Sequence, residues 1–328
     1  MKASVIGLLG AGGIAQLHLP GWLSLGHEVV VHSLDGRAPA LTERFGGRVV
    51  DSLDELLDAA DLVDVATPTE AHRELTERAA AAGKHVVSEK PLALTVADSA
   101  AMAAACERAG VRLFPAHVVR YFPAYSRLHD AVASGRVGDP AVLRFFRIGA
   151  KPRNPWYLDR ARSGGIAMDQ MIHDFDQARW IAGDVAAVYA TQAGDEMTTT
   201  TTVQAILQHR SGAISHVNGV WGDSSLEFHT GFSVAGPGGL IEHDSLRYPV
   251  LDYRGRSETA GPSYLPPVDP GATAASPYTA ELADFARAVR EGGPARVSAQ
   301  DGVEAVRIAA AVNRSLTEGC QIALEDVQ

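Results

Sequence analysis

Cysteine is almost missing from this chain: it has only Cys106 and Cys320, and neither sits at metal-site or redox spacing from a partner. That excludes a disulfide-framed scaffold and a cysteine-based metal site, and it suits a reducing, cytoplasmic setting. A basic surplus is missing too. The formal net charge is -10, which argues against a phosphate-backbone partner, because nucleic-acid binding shows as a basic patch. No apolar run approaches membrane-spanning length. No basic segment with a small-residue cleavage site precedes the first apolar strand, so no secretion signal is expected. Repeats and low-complexity linkers are also lacking. His209, His216, His229 and His243 are scattered without the spacing of ligands to one metal, and no metal site is expected.

What is present is a chain of 328 residues with 46% hydrophobic and 21% charged side chains. That is ordinary globular composition, too long for one typical core, so two domains are expected. Val5–Leu9 is a continuous apolar run, as a strand buried on both faces requires. Gly10-Ala11-Gly12-Gly13-Ile14-Ala15 follows as a G-x-G-x-x-A phosphate-binding turn. Gly10 permits the tight turn, Gly12 lets backbone approach a pyrophosphate, and Ala15 allows close helix–strand packing. Gly10, Gly12, Gly13 and Ile14 are therefore candidate cofactor contacts.

A second strand over 29–33 leads to the slot that reads the cofactor's ribose. If the next helix starts near Arg37, Asp35 falls at its N-cap and Ser33 in the ribose-facing slot. Ser33 and Arg37 together would accommodate a 2′-phosphate, which tilts the reading from NAD toward NADP. The alternative is that Asp35 bonds the ribose and Arg37 is a solvated helix residue. Strand signals at 61–66, in the short apolar run within 83–91 and at 111–114 alternate with helix signals at 71–82 and Val96–Arg108. This is a βαβ succession and predicts a doubly wound parallel sheet. Lys90 stands at the carboxyl end of one of these strands, in Ser88-Glu89-Lys90-Pro91, where ligands of open α/β sheets bind. Pro91 stops the strand and fixes the exit of the lysine side chain.

Gly10-Ala11-Gly12-Gly13, Ala66-Thr67-Pro68 with His72, Gly83-Lys84-His85-Val86 and Glu89-Lys90-Pro91 together resemble the Gfo/Idh/MocA oxidoreductase family. His117-Val118-Val119-Arg120-Tyr121 is similar to that family's junction between domains. The resemblance covers essentially the whole chain. It implies that Thr67, Pro68 and Glu89 line the nicotinamide-ribose side of the cofactor, with His72 and Lys90 in the same set. It also implies homodimers or homotetramers built through the sheet of the second domain. Ser33 departs from the ribose-binding acid of many members.

Beyond Pro140 the pattern changes to β-branched and aromatic runs at 141–148, 187–192, 198–208, 213–221 and 226–235. These predict a large, mostly antiparallel open sheet in an α+β domain. Residues 255–277 read as a loop, and 279–290 and 301–316 as two closing helices. The expected division is a Rossmann domain over 1–119 and a substrate and oligomerisation domain over 120–328.

The second constellation is Ser163-Gly164-Gly165-Ile166-Ala167-Met168-Asp169-Gln170-Met171-Ile172-His173-Asp174-Phe175-Asp176, read as a helix running to Trp180 and closing at Gly183. Asp169 and His173 are four apart and share a face, with Met168, Ile172 and Phe175 on the packing side. A local ion pair, a metal site with Asp176, and a proton-transfer pair serving with Lys90 are the competing readings. The last gains from similarity to the family's second motif at Gly164, Gly165, Asp169, His173 and Asp176. Histidine titrates near neutrality, so His173 is the candidate base for a substrate hydroxyl. Asp169 would hold its tautomer, and Lys90 would stabilise developing alkoxide. Tyr121, Arg153, Trp156, Tyr157 and Asp176 are candidate substrate contacts, suited to a sugar or polyol ring. The expected activity is an NAD(P)-dependent dehydrogenase acting on a sugar, cyclitol or polyol. An NAD-dependent glycosidase and a non-catalytic sugar or nucleotide sensor are the alternatives.

Overall fold

The computed structural model describes residues 4–152, 155–194, 200–247, 252–255, 263–264 and 276–328. Its contacts divide the chain into two compact units, residues 1–121 with 274–303, and residues 122–273 with 304–328. The first is an α/β unit. Its elements are β1 (Val5–Leu9), α1 (Ala15–Ser24), β2 (Glu28–His32), α2 (Ala38–Phe45), β3 (Arg48–Val49), α3 (Leu53–Ala59), β4 (Leu62–Val65), α4 (His72–Ala81), β5 (His85–Glu89), α5 (Val96–Arg108) and β6 (Leu113–Ala116). The strands form one parallel sheet in the order β3-β2-β1-β4-β5-β6. Ile6 pairs with Val29 on one side and Leu62 on the other, so the strand order reverses at β1. That reversal puts the turns after β1, β4 and β5 at the ligand-binding edge of an open α/β sheet.

The central strands are buried on both faces, which is why β1 reads as an unbroken apolar run. α5 begins where Thr95 accepts the Asp98 backbone N–H at 3.0 Å, and α3 where Ser52 accepts that of Glu55 at 3.1 Å. Each satisfies a donor that the first helical turn would leave orphaned.

The second unit opens with α6 (Pro123–Ala133), β7 (Val142–Ala150) and the short helix α7 (Arg160–Ser163). Then follow α8 (Ile172–Ala182), β8 (Val185–Gly194), β9 (Thr201–His209), β10 (Ile214–Gly222), β11 (His229–Gly236), β12 (Gly239–Asp244), β13 (Asp252–Gly255) and β14 (Ser263–Tyr264). Two helices, α9 (Pro277–Glu291) and α10 (Ala299–Glu318), and the two-residue β15 (Ile322–Ala323) close the chain. The sheet order is β14-β13-β12-β11-β7-β10-β9-β8-β15. All of its pairs are antiparallel except β7 with β10, which run parallel with Ile214 beside Val142. α8 lies against this sheet, and Gly219 on β10 makes room for the residue just before it: a Cβ there would meet Met171 Cγ at 2.5 Å. Most of the loop expected over 255–277 lies outside the described residues.

α9 packs in the first unit, although the sequence reading groups it with the second domain. Its Phe285 stacks on Phe114 of β6 with ring centroids 4.9 Å apart, and Leu282, Phe285 and Ala288 join the core that holds Trp22 and Val31. Arg112 fastens its far end by donating to the carbonyls of Ala288 and Gly293, each at 2.7 Å.

Candidate functional site

In the first unit the candidate residues gather at the carboxyl ends of β1, β4 and β5. Gly10 has a φ of 103°, and a Cβ on it would lie 2.5 Å from the Ala66 carbonyl oxygen, so only glycine fits the crossing of the two turns. Gly12 and Gly13 have no heavy atom within 4 Å of a Cβ position, which leaves open space over the turn. No side chain caps the N-terminus of α1. An uncapped helix start under an open glycine turn is an anion site, and it fits the pyrophosphate of a dinucleotide.

At the end of β2, Ser33 Oγ donates to Asp35 Oδ1 at 2.6 Å, and Arg37 Nε donates to Asp35 Oδ2 at 2.6 Å. Arg37 Nη2 pairs with the same oxygen, and the Arg37 backbone N–H reaches Oδ1 at 3.1 Å. The Arg37 guanidinium holds the Asp35 carboxyl at about 2. Asp35 is not the N-cap of α2. Arg37 occupies that position, and Asp35 braces the turn before it.

Thr67 is half-buried and Pro68 exposed, at the end of β4. His72 is 1% exposed, with Nε2 2.9 Å from the Thr67 carbonyl oxygen and Nδ1 2.9 Å from that of Pro91. Burial lowers its pKa. It is a strut joining two turns, not a group offered to a ligand as the sequence suggested. Glu89 is buried, its Oε2 accepting the Lys90 backbone N–H at 2.9 Å, while Lys90 is half-buried and the Lys90–Pro91 peptide is cis.

Tyr121 does not belong with the substrate contacts. It is buried, donates its hydroxyl to Asp284 at 2.8 Å, and lies under Arg296 with 4.8 Å from guanidinium to ring centre. Burial pushes its pKa up. The aromatic ring that looked available in the sequence is core.

In the second unit the motif is not one continuous α-helix. α7 ends at Gly164, and both Gly164 and Gly165 have positive φ, 74° and 72°. Two left-handed residues in succession require glycine. Ser163 Oγ accepts the Gly165 N–H at 3.0 Å and donates to the Tyr157 carbonyl at 2.8 Å, and Asn313 Nδ2 reaches the Gly164 carbonyl at 2.9 Å. A π-helical turn over Ala167–Met171 then feeds α8. Such turns recur at functional sites. Asp169 and His173 are the half-exposed positions among buried Met168, Gln170, Met171, Ile172 and Asp174. Asp176, offered by the sequence as a substrate contact, is 2% exposed. Trp156 and Tyr157 are half-buried on a short turn, their rings edge to face at 4.8 Å. Arg153 lies outside the described residues. No cluster of three metal-ligating side chains occurs among the described residues, and no helix among them is long and apolar enough to cross a membrane.

Two buried polar groups escaped the sequence reading. Arg147 on β7 grips Asp174 of α8 with two bonds, Nε to Oδ2 at 3.1 Å and Nη2 to Oδ1 at 2.8 Å. The Arg147 carbonyl also accepts from Gln170 Nε2 at 2.8 Å, so this pair and its strand hold the Asp169–His173 segment on the sheet. The other group, around His18, lies behind Glu89. Asp64 gave the one signal for it, a charge in the middle of the strand Leu62–Val65.

Residues 5–117 match a family model described as an oxidoreductase family with an NAD-binding Rossmann fold, and residues 125–242 match the GFO/IDH/MocA C-terminal domain. The chain is 33% identical over 328 residues to a 1,5-anhydro-D-fructose reductase of Ensifer adhaerens, covering 95% of this chain and 96% of that one. It is 31% identical over 346 residues to a myo-inositol 2-dehydrogenase of Thermotoga maritima, covering 98% and 99%. A solved levoglucosan dehydrogenase in complex with NADH and L-sorbose superposes with a TM-score of 0.88 at 22% identity over 99% of both chains, a likeness of fold.

Proposed function

Since the chain belongs to the Gfo/Idh/MocA family of NAD-binding oxidoreductases, we propose that its substrate is a sugar, cyclitol or related polyol oxidised or reduced at a secondary alcohol carbon. The observation that carries this reading is the half-exposed Asp169–His173 pair set in an otherwise buried segment. An acid and a base four positions apart that stay part-exposed in an otherwise buried segment are the residue types that proton transfer to a substrate hydroxyl requires.

When bound, the nicotinamide supplies the hydride acceptor or donor. The protein's part is proton transfer and charge. His173 takes the hydroxyl proton during oxidation and returns it during reduction. Asp169 orients the imidazole and offsets the charge it gains. The Lys90 ammonium stabilises negative charge developing on the substrate oxygen. Thr67, Pro68 and Glu89 line the nicotinamide-ribose side, and Trp156 and Tyr157 offer apolar faces to a ring. For the adenosine end we favour NADP. Both Asp35 oxygens are already engaged by Ser33 and Arg37, which weakens Asp35 as a ribose acceptor, and Arg37 brings a guanidinium suited to a phosphate.

The deciding experiment is a panel of sugars, cyclitols and polyols with NAD and NADP, read as nicotinamide reduction. Alcohol-dependent reduction supports the reading. Glycoside cleavage without net reduction would establish the NAD-dependent glycosidase instead, and tight ligand binding with no turnover a sensor.

A further inference from the structure

Four ionisable side chains from four elements of the first unit converge behind the Glu89–Lys90–Pro91 turn. His18 of α1 is fully buried, with Nδ1 2.9 Å from Asp64 Oδ2 on β4 and Nε2 3.3 Å from Glu89 Oε1 on β5. Trp22, one turn further along α1, donates Nε1–H to the same Asp64 oxygen at 2.7 Å and sits edge-on to His27. Glu281 of α9 is fully buried and feels the charges of Glu89, His18, Asp64 and Asp284. Tyr278, also on α9, stands 6.5 Å from the His18 ring. The two helices touch here, since a Cβ on Gly21 would lie 3.0 Å from Leu282 Cδ1.

The arrangement restricts the protons. A neutral imidazole has one N–H and would turn a lone pair toward one of its two carboxylates, whereas an imidazolium can serve both. Neither Glu281 oxygen has a donor among the described residues. An ionised carboxylate so enclosed is costly, and a neighbouring anion adds to the cost, so the proton stays on. The electrostatics agree with the geometry. Burial alone would lower the pKa of His18, but Asp64 and Glu89 hold it well above its ordinary 6.5. Burial and then the Glu89 charge lift Glu281 well above 4.5. Burial would raise Glu89, yet His18 and Lys90 bring it below its ordinary value.

We propose that His18 and Glu281 are positioning residues for the strand end that carries Lys90. His18 is an imidazolium that hydrogen-bonds Asp64 through Nδ1 and faces Glu89 at ion-pair distance through Nε2, and Glu281 is a neutral acid that leaves Glu89 as the anion beside Lys90. Glu89 is thereby a fixed negative charge at the place where the cofactor's ribose is expected. This use of the cluster rests on the proposed function, while its protonation does not.

Both groups hold protons more tightly in the folded chain than in the unfolded one, so folding stability falls as pH rises. The Glu281 contribution is complete below its unfolded value of 4.5 and that of His18 below 6.5, and each is lost as pH climbs through the raised folded value.

The test uses the full chain labelled with ¹⁵N-histidine, without cofactor, and assigns His18 by its absence in His18→Gln. At about pH 8, where an unperturbed histidine is neutral, His18 should show two protonated ring nitrogens. A neutral His18 at that pH overturns the proposal. Glu281→Gln, which mimics the neutral acid, should flatten the alkaline loss of melting temperature, and an unchanged slope counts against Glu281. NADH affinity followed by fluorescence supplies the functional arm. In His18→Gln the acid limb of binding should move up by about one pH unit or more, a tenfold change in proton affinity at Glu89. A variant that melts earlier but keeps the wild-type acid limb makes His18 merely structural and refutes the positioning role. Wild-type protein that turns over no alcohol would sink the proposed function and leave the resonance result standing.

Discussion

Replacing Arg147 with methionine keeps most of the aliphatic stem and removes the guanidinium, which isolates the value of one buried charge. Arg147 and Asp174 are both buried, and the two recorded donors to Asp174 are Nε and Nη2 of this arginine, at 3.1 and 2.8 Å. Their loss strands a carboxylate between α8 and the sheet, and breaking a buried pair in this way costs about 3–5 kcal/mol. With a urea slope of about 1–3 kcal/mol per molar, the midpoint of the second unit's transition should fall by on the order of 1–5 M. The deficit should depend on pH. Burial already raises the Asp174 pKa from its ordinary 3.8, and without Arg147 it rises further. An acid raised on folding loses stability above its unfolded value, so the Arg147→Met deficit is greatest near neutrality and shrinks as pH falls toward 3.8. Adding Asp174→Asn should recover much of the loss at neutral pH. Urea unfolding followed by tryptophan fluorescence at several pH values reads all three outcomes. A deficit below about 1 kcal/mol, or one indifferent to pH, would mean that the pair is already relaxed by water and that burial carries little weight here.

Three further outcomes follow from the site. Lys90→Met and His173→Asn should each cut kcat/KM by about 10²–10⁴-fold with NADH affinity nearly intact, measured by steady-state kinetics and fluorescence titration; unchanged turnover in both removes the assigned chemistry. Arg37→Ala should weaken NADP binding by about tenfold or more while sparing NAD, because it deletes a charged hydrogen bond to a phosphate; equal losses for both cofactors would reverse the preference proposed here. We propose that copies of the chain meet on the sheet face that carries the cross-strand neighbours Tyr189 and Ile206, 44% and 38% exposed; a joint change to glutamate should then lower the mass seen by light scattering, and an unaltered mass would refute that contact.

Legibility in the sequence followed the range of the interaction. β1 and α5 were readable to the residue, because a strand buried on both faces and a helix opened by Thr95 announce themselves locally. The glycine turn and the Glu89-Lys90-Pro91 segment were likewise visible as short strings with one physical use. The π-helical turn was not, since hydrophobic spacing from Ile166 to Phe175 is nearly the same whether or not one residue is inserted. Tyr121 was misplaced because a polar aromatic looks available to a ligand until the partner that holds it is known; here that partner is Asp284, 163 positions away. The His18 cluster draws on positions 18, 64, 89 and 281, and only tertiary packing brings those together.

The place of α9 has a consequence for how the protein is made. The nucleotide-binding unit is a discontinuous stretch of chain, and Leu282, Phe285, Ala288 and Val297, which share a core with Trp22 and Phe114, are the last part of that core to leave the ribosome. Its six strands are complete by residue 116, yet the apolar face of α1 and the carboxyl groups around His18 wait for some 170 more residues, on the order of ten to thirty seconds of synthesis at usual rates. During that interval the residues of the second unit are being synthesised. A fragment ending at the junction after Tyr121 should therefore be an aggregation-prone intermediate rather than a miniature nucleotide-binding protein, and the chain's capacity to bind its cofactor should appear only once α9 has docked.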